Sequence, residues 1–141
     1  ILQNENFVAI YVEMIHDVRI IPIDDRPQLH GNIRLWNGDS RGYWDGDTLV
    51  VRTANFSDKT RHRFPSSRNT VAVERYRRVS DDLIDYSFTI EDPTVYTQPW
   101  TAIRPLPRLA DYKQYEYACH EGNYRAMENT LRGSFDFQPA Q

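Results

Sequence analysis

Apolar and polar positions along this chain recur mostly every second residue, the period of a strand with one buried face. LIDYSFTI (83–90) shows it most plainly: Ile84, Tyr86, Phe88 and Ile90 share one face, and Asp85, Ser87 and Thr89 share the other. NTVAVERYRRV (69–79) alternates too, with Ala72, Glu74, Tyr76 and Arg78 on one side and Val71, Val73, Arg75, Arg77 and Val79 on the other. Ser80, Asp81 and Asp82 between the two runs predict a hairpin, and Asp92-Pro93 ends the second strand. Earlier, FVAIYVEM (7–14) and DVRIIPI (17–23) are β-branched and apolar, with His16 at the turn between them. FVAIYVEM is apolar on both faces and so predicts a strand with little solvent exposure. Pro22 removes a ladder donor and predicts an edge or a bulge.

Residues 24–40 and 57–69 are polar and read as loops. Between them RGYWDGDTLVVRTANF (41–56) places Asp45-Gly46 between two strand-like runs, the strongest short-range hairpin signal in the chain. Asp tolerates and Gly accepts the positive φ of a tight primed turn. WTAIRPLPRL (100–109) is a further strand, weakened by Pro105 and Pro107, and YEYAC (115–119) is read as the last. NYRAMENTLRG (123–133) predicts a short helix, with Asn123 as N-cap, Ala126, Met127 and Leu131 on one stripe, and Gly133 as its stop. The expectation is an all-β fold: an antiparallel meander closing into a barrel, or alternatively folding into a sandwich, with one short C-terminal helix.

Composition changes this picture little. The 141 residues fit a single β-rich domain, and 13% aromatic residues suit a pleated surface. A net charge of −3 speaks against nucleic acid as a partner. No apolar run approaches the length of a membrane-spanning helix. The single cysteine, Cys119, excludes a disulfide within the chain. Phosphate-loop, dinucleotide, nucleophile-elbow and HExxH signatures are all missing, which argues against nucleotide-dependent and hydrolase families with known signatures and leaves the cofactor unknown.

Several motifs together carry a resemblance: GDSRGYWDGDTLVV (38–51), VERYRRV (73–79), TIEDPTVYTQPWTA (89–102) and YEYACHEGNY (115–124). Over roughly residues 7 to 133 the chain resembles a family of mostly secreted, β-rich proteins from soil and environmental bacteria that carries no assigned activity. The resemblance implies a periplasmic or secreted location and supplies no catalytic residue. Members look longer at the N-terminus, with a Cys-Pro-Pro-Gly-like segment. The resemblance therefore implies that the natural precursor has such a segment, whose cysteine is a candidate partner for Cys119. The tail SFDFQPAQ departs from the family's acidic ending.

Three constellations are chemically suggestive. In YEYACHEGNY, an extended strand sends Cys119 and His120 to opposite faces, so the two cannot serve one centre unless the chain turns. No metal ligands are assigned, because the other histidines (His16, His30 and His62) lie far along the chain. Adjacent glutamates disfavour a reactive thiolate. Asp39, Asp45 and Asp47 lack the spacing of a calcium loop and read as turn formers. The strand pair 71–79 and 83–90 must put ionisable groups inside whichever face is buried. Its plainer reading is a cross-strand Arg75–Asp85 or Arg77–Asp85 pair.

The functional reading is a polar-lined interior holding a small organic ligand. Arg75, Tyr86, Trp44, Trp100 and Tyr117 are its candidate binding residues, the rings supplying stacking walls. An enzyme is the alternative, with His120 or His16 as general base, Glu116 or Glu121 orienting it, and Arg75 holding an anionic group. A third reading is a subunit of an extracellular homo-oligomer joined through an open strand edge.

Overall fold

The computed structural model describes residues 1–135 of the chain, apart from the side chains of Cys119, His120, Gly122, Ser134 and Phe135. The chain forms two compact units. One comprises Ile1–Tyr11 and Val18–Tyr112, and the other Val12–Asp17 with the chain from Lys113 onward.

The first unit is built of two antiparallel sheets. A small sheet has strand order β1 (Leu2–Gln3), β2 (Phe7–Val12), β3 (Asp17–Pro22). A larger sheet runs β4 (Asp39–Asp45), β5 (Thr48–Ala54), β6 (Val71–Ser80), β7 (Leu83–Glu91) and β8 (Trp100–Ile103). A short β9 (Leu106–Pro107) also pairs with β7. β8 and β9 are one interrupted strand. Pro105 separates them, while the Arg104 N–H keeps a backbone bond to Tyr86 at 2.8 Å.

The expected barrel does not form. Among the described residues β4 and the β8/β9 line are the two edges of the larger sheet and do not pair with each other. The β2–β3 hairpin stays a separate sheet instead of adding to an edge, and its inward face packs on the larger sheet, which makes the arrangement sandwich-like. Val8 and Ile21 meet Leu49 and Val51, with Ile10, Ile23 and Tyr76 around them. Each fully buried aliphatic side chain stabilises by about 1.5–3 kcal/mol. Gly42 permits the close approach, since a Cβ there would lie 3.0 Å from the methyls of both Ile21 and Ile23.

The hairpins predicted from residues 41–56 and 69–90 are present, and their alternation fixes the register. Glu74 lies opposite Val51 on one side and Phe88 on the other, and Tyr76 lies opposite Leu49 and Tyr86. The first turn differs in detail. Asp45 pairs with Thr48, so Gly46-Asp47 is the turn pair. Gly46 alone has positive φ (61°), the pattern of a type II′ turn with Gly first rather than type I′. β3 is an edge strand that ends at Pro22, in keeping with the missing ladder donor. β2 is less enclosed than its composition predicts, because Tyr11 and Val12 at its end are each 41% exposed.

In the second unit, Met14–His16 is a 3₁₀ turn with Ile15 and His16 at positive φ. The Glu13 carboxylate accepts the Tyr115 N–H at 3.3 Å. Helix α1 spans Cys119–Phe135, so two expectations need correction. YEYAC is not a strand: residues 113–118 are irregular, and Cys119 opens the helix. Asn123 and Gly133 lie inside α1 rather than at its ends. No proline interrupts the chain between Pro107 and Pro139, and Ala126, Met127, Glu128, Leu131 and Arg132 are strong helix formers. The two glycines within α1, Gly122 and Gly133, each costing about 1 kcal/mol, do not stop such a run.

Candidate functional site

The inward face of β6 carries a carboxylate into the space between the sheets. Glu74 is 6% exposed, and a buried charge is tolerable only when paired and hydrogen-bonded. Its partner comes from the other sheet. Arg19, on the same side of β3 as Ile21, donates from Nη1 to Glu74 Oε1 at 3.0 Å and from Nη2 to Oε2 at 2.6 Å. Oε1 also accepts the phenol hydroxyls of Tyr76 at 2.8 Å and Tyr86 at 3.0 Å. The two phenol rings stack 4.6 Å apart. On the β4 side, Arg19 Nη2 reaches Ser40 Oγ and Thr53 Oγ1, both at 3.2 Å, and these hydroxyls share a 2.8 Å bond. Arg19 Nε is buried with no acceptor among the described residues.

This network holds its charges fixed. Burial alone would raise the Glu74 pKa, but the bonds and charge of Arg19 and the two phenols hold it below the usual carboxylate range. Burial would lower Arg19, yet Glu74 raises it above the ordinary guanidinium value. Burial, followed by the negative charge of Glu74, pushes both Tyr76 and Tyr86 up.

Beside the network, where β3 lies against β4, a half-open cavity of about 300 Å³ is lined by Arg19, Ile20, Arg26, Leu29, Leu35 and Arg41, together with neighbouring backbone and smaller side chains. Its walls are tied down. Asp39 accepts the Leu29 N–H at 2.8 Å and pairs with Arg41 Nη1 at 2.5 Å, while Arg41 Nη2 donates to the Pro27 carbonyl at 3.0 Å. Arg26 is held by two contacts of Nε and one of Nη2 with Asp24, and its guanidinium lies 5.1 Å from the Phe7 ring centroid.

Farther along the same sheet face, rings continue from Tyr86 through Phe88 and Trp100 to Phe64, His62 and Phe56. Burial lowers the His62 pKa. Asp92 closes the 65–70 loop by accepting from Thr70, Thr94 and Ser67. Burial would raise its pKa, but those bonds pull it well below the ordinary value.

The residues singled out from sequence are dispersed. Tyr86 belongs to the Glu74 network, and Trp100 belongs to the ring series, with its Nε1 buried and without an acceptor among the described residues. Arg75 lies on the opposite face of β6, paired with Asp45 at 3.3 Å, and Arg77 makes the cross-strand pair with Asp85 at 3.2 Å. Trp44 is 46% exposed at the end of β4. Tyr117 and Glu116 are exposed in the irregular segment before α1, Glu121 is exposed in the first turn of α1, and His16 is exposed on its 3₁₀ turn. The His120 side chain lies outside the described residues. Among the described residues no side-chain bond joins His16, Glu116 and Glu121, and no group of three metal-ligating side chains occurs.

Arg19, Ser40, Thr53 and Tyr76 were not singled out from the sequence. Alternation puts Arg19 with Ile21 and Ile23. The other face, Val18, Ile20 and Pro22, is equally apolar, so period alone does not choose the buried side. Tyr76 had a signal in its place beside Glu74 on one face of β6.

No protein-family model, curated protein or solved structure matches this chain.

Proposed function

We propose that this chain is a small-molecule-binding β-domain whose site is the cavity between β3 and β4. The observation that carries the reading is that cavity. At about 300 Å³ it is at the lower end of the range that holds small organic ligands, and its walls are fixed by ion pairs and backbone bonds before any ligand arrives. The adjoining network supports binding over acid–base turnover. A general acid or base works best with a pKa near the operating pH. Glu74 is held low, and Tyr76, Tyr86 and Arg19 are held high, so none of them exchanges a proton in that range. A periplasmic or secreted location is part of the proposal and rests on the motif resemblance alone.

Filling the cavity tests the reading. Leu35 lines it, is 41% exposed, and uses its backbone to bond Asn55 and Ser57, so a larger side chain leaves those bonds in place. In a ligand-observed NMR screen of small organic fragments, Leu35→Trp is expected to lose the fragments that bind the wild type while keeping the same thermal transition. If every fragment binds both proteins equally, or none binds the wild type, the cavity is not the site.

A further inference from the structure

The charges around the cavity narrow what it takes. Glu74 and Asp24 pair with Arg19 and Arg26, and the lining itself holds three guanidiniums, Arg19, Arg26 and Arg41, with one carboxylate, Asp39. That carboxylate is already occupied by the Leu29 N–H and Arg41. Arg19 commits both terminal nitrogens to Glu74 and the two hydroxyls, and its remaining Nε is buried. Arg41 is committed to Asp39, the Ser40 carbonyl and the Pro27 carbonyl.

Arg26 differs. Asp24 takes only its Nε and Nη2, leaving Nη1 with no hydrogen bond among the described residues. Its contact with the Phe7 ring restrains the guanidinium, so little side-chain entropy remains to be lost when an acceptor arrives. The same lining holds the aliphatic groups of Ile20, Pro22, Leu29 and Leu35.

We propose, resting on the ligand-binding reading above, that the cavity binds a small organic carboxylate. The anion sits at Arg26 Nη1, and an apolar body lies against Ile20, Leu29 and Leu35. The volume corresponds to about ten liquid waters, which sets the ligand at roughly ten non-hydrogen atoms. Each guanidinium is already paired with a carboxylate, so an incoming anion is selected by the open N–H of Arg26, for which an ammonium offers no acceptor, and not by net charge.

Three probes share one apolar body and differ in charge: phenylacetate, 2-phenylethanol and 2-phenylethylamine. Each is titrated near neutral pH to about 10 mM, a range that captures millimolar dissociation constants, while the backbone amides of Ile20, Leu29 and Gly38 are followed by NMR. Phenylacetate is expected to move these amides and to bind up to about fivefold more tightly than the alcohol, the scale of one solvent-exposed ion pair, with the amine weaker still. Arg26→Gln is expected to bring phenylacetate down to the level of the alcohol and to leave the alcohol unchanged. Binding of the alcohol or amine at least as tight as the acid overturns the carboxylate assignment and leaves the ligand-binding reading standing. The same holds if Arg26→Gln leaves phenylacetate affinity unaltered. Unmoved amides with all three probes overturn both.

Discussion

At the scale of single residues, the Arg19–Glu74 pair decides most. Two charges withdrawn from water are tolerated here because each carboxylate oxygen receives a guanidinium N–H and Oε1 receives two phenol hydroxyls besides. Removing one partner leaves the other buried and uncompensated. Arg19→Met is therefore expected to lower unfolding stability by about 3–5 kcal/mol. The double variant Arg19→Met/Glu74→Met is expected to recover most of that loss, because apolar groups of similar volume replace both charges. Chemical denaturation of the wild type, the single variants Arg19→Met and Glu74→Met, and the double variant reads this directly. A double variant as unstable as the sum of its single changes would show that the pair contributes through packing alone. Glu74 was legible in the sequence as an ionisable group that had to be paired if its face was buried. Its partner was not, because Arg19 comes from a different sheet more than fifty residues away, and no local period reports that contact. The cross-strand pair was legible to the extent that it is local: Arg77 meets Asp85 across one hairpin, and Arg75 turns to Asp45 on the other neighbour.

Among the elements, the two large hairpins were readable because turn chemistry and two-residue alternation agree over residues 39–54 and 71–91. The barrel expectation failed at a step that alternation does not encode. Strands with one buried face pack equally well by closing on themselves or by receiving a second sheet. Here β2 and β3 provide that second sheet, and Gly42 is the residue that lets them sit close. Gly42→Val is expected to destabilise by about 1–3 kcal/mol, the usual cost of overpacking, and to expand the gap at Ile21 and Ile23. A thermal transition unchanged from wild type would mean that the sheets have slack at this point. The last predicted strand failed for a related reason. YEYAC alternates well enough, but among the described residues it pairs with no strand, and Tyr115 and Tyr117 stay exposed. Alternation describes what a strand would bury, not whether a partner exists. The helix was visible in its apolar stripe, and its ends were misplaced because Asn123 and Gly133 carry capping chemistry in places where the chain continues as helix.

For the molecule as a whole, the account comes down to a clamp between two sheets whose charges do not change, set beside a small preformed cavity. The clamp has a pH signature. Glu74 has a folded-state pKa below its unfolded value, so its contribution is fully present above the unfolded carboxylate pKa of about 4.3 and is lost as pH falls through the folded value. Asp92 acts in the same direction through its bonds to Thr70, Thr94 and Ser67. Tyr76 and Tyr86 have raised folded-state values, so they oppose folding only as the unfolded phenols ionise above about pH 10. The most direct measurement is a ¹³C NMR titration of the Glu74 side-chain carboxyl in the folded protein. The expected result is the signal of an ionised carboxylate throughout the neutral range, with a protonation midpoint below the ordinary glutamate value of about 4.3. A midpoint between about pH 6 and 8 would contradict the account, because it would make Glu74 a proton-exchanging group of the kind catalysis uses.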